Sequence, residues 1–495
     1  MDVSIEVAAA MARTVMRARD KDALRVAVVG AGYVGLVTAA CLAALGHRVR
    51  SVDIDPDRIR ALLAGVVPFA EPGLEDLVRQ GLDAGRLTFH VGHGEGLADS
   101  DIAMIAVGTL DRDGRWTDEF VDRALVELLA APTLPRTIAI RSTLRPGSMA
   151  RLQQFVVRAA HRSRLVLNPE FTREGTAVQD FLAPDRIVVG VAAEDDPEIA
   201  AQPVRVLFAG IDAPFLIVDH ASAELIKIGS NAFLATKITF ANELARLCVA
   251  AGADMAQVRQ GIGLDSRIGP AFLAPGPGFG GSCLPSQVEL LSAMSGELGL
   301  GLELIPAVHR FNLEHPGRLA RDLLAELPGV ERVAVLGLAF KANTDDTRES
   351  PAIRFISALH DHGVEEVRAF DPAVLKLPGH PWVTLSADPY EAAVGADVLA
   401  ITTEWPEFRR LDWPRLASVM RGREVFDARS VIVFQEASEA GFHVHYLERP
   451  SHQRSDHVGA AHPHLSVPIR PATSIDALTR RSGSGWARAS AGTVR

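Results

Sequence analysis

A chain of 495 residues is longer than one ordinary core of ~100–200 residues, so two or three domains are expected. Its 48% hydrophobic and 23% charged composition excludes wholesale disorder, and a net charge of −10 excludes a generally basic nucleic-acid surface. Three scattered cysteines, Cys41, Cys248 and Cys283, exclude a disulfide scaffold or zinc ribbon and fit a reducing, cytoplasmic setting with no metal.

Residues 1–22 mix apolar residues with Asp2, Glu6, Arg13, Arg17 and Asp20, and lack the apolar core of a secretion signal. Residues 26–46 are uncharged over a length that could cross a bilayer, but their glycines argue for a different fold. A β-branched run at 25–29 leads into Gly30-Ala31-Gly32-Tyr33-Val34-Gly35. A helical stretch follows to Leu45, Gly46 closes it, and a second strand at 48–52 ends at Asp53. Strand, glycine turn, helix and strand within about thirty residues form the βαβ unit of a dinucleotide fold, and no membrane span is expected. Further strands are expected at 102–107, 137–140, 165–167 and 187–189, giving a doubly wound α/β domain over 24–215. The pattern changes to a long helix at 222–251, interrupted only by Gly229, with more helix through 290–298 and around His309. This segment, 216–318, reads as a helical connector suited to a dimer interface. Strands at 332–336, 367–370, 398–402 and 424–426 mark a second α/β domain over 328–448, without a Gly-x-Gly-x-x-Gly turn. Residues 451–495, rich in Ser, His, Pro, Arg and Gly, read as a disordered tail. The expected fold class is α/β, with two Rossmann-like doubly wound domains joined by a long central helical segment.

In the glycine turn, Gly30 permits the tight bend, Gly32 lets a pyrophosphate approach the backbone, and Gly35 allows close helix–strand packing. Asp53 can accept from ribose hydroxyls and would repel a 2′-phosphate, which favours NAD over NADP. Cys283 lies in Gly278-Phe279-Gly280-Gly281-Ser282-Cys283-Leu284-Pro285, ahead of a helix expected over 288–298. A helix N-terminus favours a thiolate, so Cys283 is a candidate nucleophile, although a cysteine after glycines also serves structure. Beside a nicotinamide, such a thiolate can capture an aldehyde and carry it to a thioester. Lysine stands at only five positions, Lys21, Lys227, Lys237, Lys341 and Lys376. Coding bias explains the scarcity, but lysine can release a proton far more readily than arginine. Lys227 and Asn231 share one helix face and could stabilise an oxyanion; a solvated lysine and a packing asparagine fit the same spacing. Glu170 and Glu174 follow a strand and could handle protons or water, or could simply pair with Arg173 or Arg186.

These residues resemble the UDP-glucose/GDP-mannose 6-dehydrogenase family over roughly 26–447. The matching stretches include Val29-Gly-Ala-Gly-Tyr-Val-Gly-Leu36, Glu71-Pro-Gly-Leu-Glu75 and Asn168-Pro-Glu-Phe-Thr-Arg-Glu-Gly175. Ala223-Glu-Leu-Ile-Lys227, Ser230-Asn231-Ala-Phe-Leu234, Arg267-Ile-Gly269 and Gly278-Phe-Gly-Gly-Ser-Cys283 follow in order. Gly337-Leu-Ala-Phe-Lys341-Ala-Asn-Thr-Asp-Asp346, Arg348-Glu-Ser-Pro351, Thr403-Glu-Trp405 and Asp427-Ala-Arg429 complete the series. The resemblance implies two NAD⁺-dependent oxidations at C6 of a nucleotide sugar, through a Cys283 thioester, with UDP-glucose the foremost substrate and GDP-mannose or a UDP-N-acetylhexosamine the alternatives. It implies Lys227 and Asn231 at the oxyanion, Glu170 at the hydrolytic water, with either Glu170 or Glu174 to take over where Gln287 stands, and Thr109 and Thr143 beside the cofactor. It implies a substrate site of Glu170, Phe171, Lys227, Asn231, Phe279, Gly280, Phe340, Lys341 and Arg429, with Glu174, Tyr33 and Val34 on the cofactor side. Arg267 would reach a neighbouring subunit's sugar site in a homodimer or larger homo-oligomer. Gln287 departs from the pattern: the family reads Pro-Lys-Asp after the cysteine motif where this chain reads Pro285-Ser286-Gln287, and glutamine cannot ionise. That departure opens a second reading, a hydrolysis-impaired or non-catalytic sugar-nucleotide binder. Leu284 and Leu110 are further departures, read as packing variants.

Overall fold

A computed structural model describes residues 23–92, 99–111, 114–131, 133–159 and 163–447. The expectations for residues 1–22 and for the tail at 451–495 lie outside the described residues.

The first sheet has eight strands in the order β3-β2-β1-β4-β5-β6-β7-β8. They are β1 (Arg25–Val29), β2 (Arg48–Asp53), β3 (Leu87–Val91), β4 (Ile102–Ile105), β5 (Thr137–Ile140), β6 (Arg164–Leu167), β7 (Ile187–Val191) and β8 (Phe215–Asp219). Neighbours run parallel except β6 and β7, which meet antiparallel at Leu167 and Gly190. The short strands are nearly all apolar because helices cover both faces. Leu36, Leu42 and Phe181 pack one side; Leu125, Leu152 and Val188 pack the other. The chain order reverses between β1 and β4, and the crevice at that switch point is where such sheets bind ligands.

The second sheet has six parallel strands in the order β11-β10-β9-β12-β13-β14, the same winding as the first six strands of sheet one. These are β9 (Arg332–Leu336), β10 (Glu366–Phe370), β11 (Val383–Leu385), β12 (Val398–Ile401), β13 (Glu424–Asp427) and β14 (His443–Tyr446). The repetition reaches single atoms. Asp53, ending β2, accepts from the Ala31 amide at 2.7 Å, and Asp371, just past β10, accepts from the Leu338 amide at 2.7 Å. In the second copy the Trp405 indole also donates to Asp371, at 3.1 Å.

Between the sheets run helices His220–Ala251, Leu284–Glu297 and Leu304–Glu326, which pack on one another around Ala235, Phe279, Val288 and Val308. Asp219 caps the first of these through the Ser222 amide. Gly229 does not interrupt the 32-residue helix: its cost of about 1 kcal/mol is outweighed by burial of Ala223, Ile228, Ala232 and Ala235. The uncharged stretch 26–46 folds as β1, the glycine turn and helix Tyr33–Ala44, and among the described residues no helix is long and apolar enough to cross a membrane.

Candidate active site

The glycine turn has the shape its sequence requires. Gly30 holds φ +99°, and a Cβ there would lie 2.7 Å from the Ala106 carbonyl oxygen. A Cβ on Gly35 would lie 1.9 Å from the Gly30 oxygen, so only glycine lets helix and strand meet this closely. At Gly32 a Cβ would meet nothing within 4 Å: the backbone faces open space. Gly32 is also the N-cap of helix Tyr33–Ala44, without a side-chain cap or an acidic residue in the first turn. Its amides are therefore open to an anion. Val34, partly buried, packs against the core, while the Tyr33 hydroxyl donates to Glu71 and its ring lies tilted against Phe69. Asp53 accepts from Ala31, from Asp55 at 2.9 Å and from Arg58 at 2.9 Å. The loops bearing Thr109 and Thr143 follow β4 and β5, and the Ser142 hydroxyl joins them by donating to the Val107 carbonyl at 2.7 Å.

Cys283 is the N-cap of helix Leu284–Glu297 and its side chain is solvent-accessible. Lys227 and Glu170, both buried, form an ion pair at 2.7 Å. The other Glu170 oxygen accepts from the Thr172 amide and hydroxyl, each at 2.7 Å. Burial pushes this carboxyl up, but the Lys227 ammonium and the Thr172 bonds outweigh it and hold Glu170 below the usual carboxylate range. Neither arginine considered from the sequence is its partner: Arg173 pairs with Asp180, and Arg186 lies over the Phe171 ring. One turn beyond Lys227, the Asn231 amide donates at 2.9 Å to the buried Gln287.

The thiol differs from the expectation. Desolvation and the Glu170 carboxylate raise Cys283 above its ordinary value, against the opposing pull of Lys227, so the resting group at neutral pH is the thiol. Glu174 is pushed up to about 7 by burial and by the neighbouring Asp346, with Arg348 3.5 Å away opposing. Burial lowers Lys341, and Glu174 partly restores it.

The second sheet meets the cysteine loop through Phe340. Cβ atoms on Gly280 and Gly281 would each lie 2.8 Å from Phe340 atoms, so these glycines admit the ring. Arg429 donates to the Thr402 carbonyl at 3.0 Å and the Phe340 carbonyl at 3.3 Å, and pairs with Glu404 at 3.2 Å. Lys341 lies 5.5 Å from the Phe340 ring centre. The structure thus gathers Phe279, Gly280, Phe340 and Arg429 around one loop. Arg267 is not drawn into this cluster: its bonds among the described residues go to Asp265, and it is exposed.

Three consecutive models of one family match the chain: the NAD binding domain over 24–208, the central domain over 221–314 and the UDP binding domain over 334–433. A UDP-glucose 6-dehydrogenase from Rhizobium meliloti is 39% identical over 441 residues, covering 86% of this chain and 100% of that protein. The chain belongs to the UDP-glucose/GDP-mannose dehydrogenase family. Among solved structures, a UDP-glucose dehydrogenase from Pyrobaculum islandicum is 36% identical with TM-score 0.76, covering 87% of this chain and 99% of that one. A UDP-D-ManNAc dehydrogenase from Pyrococcus horikoshii is 27% identical with TM-score 0.75, covering 86% and 99%.

As a member of this family, the protein is an NAD-dependent oxidoreductase acting on a nucleotide sugar. Its own residues fit NAD: the open Gly32 face would take the pyrophosphate and Asp53 the adenosine ribose. Several residues that shape the site were not singled out from sequence. Glu71 accepts from Tyr33 and from the amides of Gly175, at 2.6 Å, and Ala177, at 2.7 Å, and so ties the cofactor turn to the Glu170–Glu174 loop. Asp346 and Arg348 set the charge around Glu174. Glu71, Asp346 and Arg348 stood in quoted motifs, but only tertiary contact reveals what they touch.

Proposed function

We propose that the enzyme oxidises the C6 alcohol of UDP-glucose to the carboxylate, consuming two NAD⁺ and one water. The observation that carries this reading is the convergence of Cys283, the buried Lys227–Glu170 pair and Asn231 beside the Phe279–Gly280 loop. NAD⁺, held by Gly32 and Asp53, supplies the hydride acceptor for both oxidations. Lys227 and Asn231 stabilise negative charge on the C6 oxygen as hydride leaves the alcohol, and later on the tetrahedral intermediates. The Cys283 sulfur adds to the aldehyde while its proton passes to the aldehyde oxygen, giving a thiohemiacetal. Loss of a second hydride and of the hydroxyl proton gives the thioester. Water then attacks the carbonyl, the C–S bond breaks, and the thiol is restored.

Glu174 takes the water proton, since Glu170 is neutralised by Lys227 and Gln287 has none to exchange. Thr109 and Thr143 line the cofactor side. Phe340, Lys341 and Arg429 hold the nucleotide, whose phosphates suit these cations. The higher identity to UDP-glucose enzymes than to the UDP-D-ManNAc enzyme favours UDP-glucose over an N-acetylhexosamine. A homodimer places the exposed face of the central helix against a second copy, whose Arg267 reaches the sugar site. Gln287 supports one second reading: turnover that stalls at the thioester.

The deciding experiment supplies NAD⁺ with UDP-glucose, GDP-mannose or UDP-N-acetylhexosamines, counts NADH per sugar and follows Cys283 adducts by intact mass. Two NADH per UDP-glucose with free uronate is expected. One persistent adduct per site marks the stalled reading, and no NADH from any sugar at saturation overturns both.

A further inference from the structure

The loop before Cys283 has no helix or strand through residues 271–280, so its backbone groups need partners from elsewhere. They find them in three buried side chains on two helices. Asn312 is bidentate on one residue: its Oδ1 accepts from the Phe279 amide at 2.8 Å and its Nδ2 donates to the Phe279 carbonyl at 2.8 Å. Three residues earlier, both polar groups of Gly276 are held. Its amide donates to Asn242 Oδ1 at 2.8 Å, and its carbonyl accepts from His315 Nε2 at 3.0 Å. The pairing fixes the His315 tautomer. Burial pushes the ring down to about 4, so it is neutral, and Nδ1 has no hydrogen-bond partner among the described residues.

We propose that Asn312, with Asn242 and His315, is a positioning residue that sets the loop bearing Phe279, Gly280 and Cys283 before substrate arrives. Glycines constrain the loop on both sides. A Cβ on Gly278, at φ +130°, would lie 2.7 Å from Asn312 Oδ1, and on the opposite side one on Gly280 would lie 2.6 Å from the Glu349 carbonyl oxygen. The Gly281 amide donates to the Arg348 carbonyl at 2.9 Å, three residues before the Pro351–Asp361 helix begins. The loop is held between the central helices and the second sheet, so a rotation of the Phe279 peptide moves Cys283 relative to Lys227 and Asn231. Misplacement by about 1 Å is enough to cost on the order of a hundredfold in rate.

The inference rests on Cys283 being the nucleophile, and its test separates the two. Asn312→Leu removes both bonds to Phe279 at similar volume. Its kcat is expected to fall roughly thirtyfold with KM for the sugar nucleotide changed less than about threefold. Alkylation of Cys283 by iodoacetamide, read by intact mass, should speed up about threefold or more as the loop loosens and the sulfur moves away from the Glu170 carboxylate that raises it. Unchanged kcat and alkylation rate in folded Asn312→Leu would overturn the proposal, whatever the melting temperature. Should Asn312→Leu fail to fold, His315→Gln against His315→Leu decides. Glutamine keeps a donor for the Gly276 carbonyl and should restore most of the activity lost in the leucine variant; equal losses overturn it. Full turnover in Cys283→Ser would remove the nucleophile reading alone, leaving the alkylation result on the loop intact.

Discussion

Lys227 Nζ lies 2.7 Å from Glu170 Oε1, and both side chains are more than nine-tenths buried. The pair joins the central helix to the loop after β6, so one contact connects the segment presenting Lys227 and Asn231 to the loop carrying Glu170 and Glu174. It also removes Glu170 from use as a free base, because its charge is matched and both oxygens are occupied. Of the two other positions considered for proton transfer, Glu174 is a carboxyl raised to about 7 and position 287 holds an amide.

Breaking the pair should cost more than deleting it. Lys227→Met leaves an uncompensated buried carboxylate and should destabilise by about 3–5 kcal/mol, whereas Lys227→Met with Glu170→Gln should recover most of that loss. On the proposed role of Lys227 in stabilising the oxyanion, neither variant should turn over. Urea unfolding decides the stability claim: a double variant no more stable than Lys227→Met counts against it.

Glu174 gives the pH dependence. Its carboxyl is raised from 4.5 to about 7 by burial and Asp346, with Arg348 and Lys341 facing it and opposing. The native state holds this proton between those values where the unfolded chain does not. Its contribution to stability is therefore full below about 4.5 and is lost as pH rises through about 7. On the proposed role of Glu174 as acceptor of the water proton, activity runs the other way: the ionised form is the active one and kcat should climb through about pH 7. Glu174→Gln should remove that limb from the kcat profile. A limb that persists unshifted in the variant assigns the proton to another group.

The strands were legible where they were buried and β-branched, as at β1, β5 and β9, because burial on both faces writes a continuous apolar run. Those passed over, β3, β8, β11 and β14, are short, polar-interleaved or at sheet edges, where solvent relaxes the pattern. The glycine turn and Asp53 were readable because backbone geometry dictates the residue type. The environment of Cys283 was not: its thiol responds to Glu170, more than a hundred residues earlier in the chain, and no local spacing encodes that. Asn242, Asn312 and His315 were silent for the same reason, being ordinary helical positions until the loop lies against them.

Gln287 should limit the last step. Its Oε1 accepts from Asn231, which keeps that amide oriented without adding a charge beside the thiol. Gln287→Asp can keep this acceptor and adds a proton acceptor, so single-turnover release of uronate should quicken and the thioester adduct should be less populated. The added negative charge should also raise Cys283 further, slowing its alkylation at fixed pH. Uronate release at the wild-type rate or below, with undiminished adduct, would show that hydrolysis was not limited at this position.

The central helix bears on assembly. Phe233, Phe240 and Leu247 recur every seven residues and are 66%, 51% and 63% exposed, while the opposite face buries Ala235, Ala241, Ala245 and Cys248. A seven-residue repeat returns to nearly the same side of a helix, so the three form one apolar stripe along its length. Aromatic residues at this exposure on a 32-residue helix are better explained by a second copy than by solvent. Phe240→Glu puts a charge at the middle of the stripe and should convert a dimer to monomer by light scattering at micromolar concentration. If Arg267 acts across that interface, the monomer should also lose affinity for the sugar nucleotide while binding NAD⁺ as before. Wild-type protein that is monomeric throughout, or a Phe240→Glu variant still dimeric, would rule out this face as the contact.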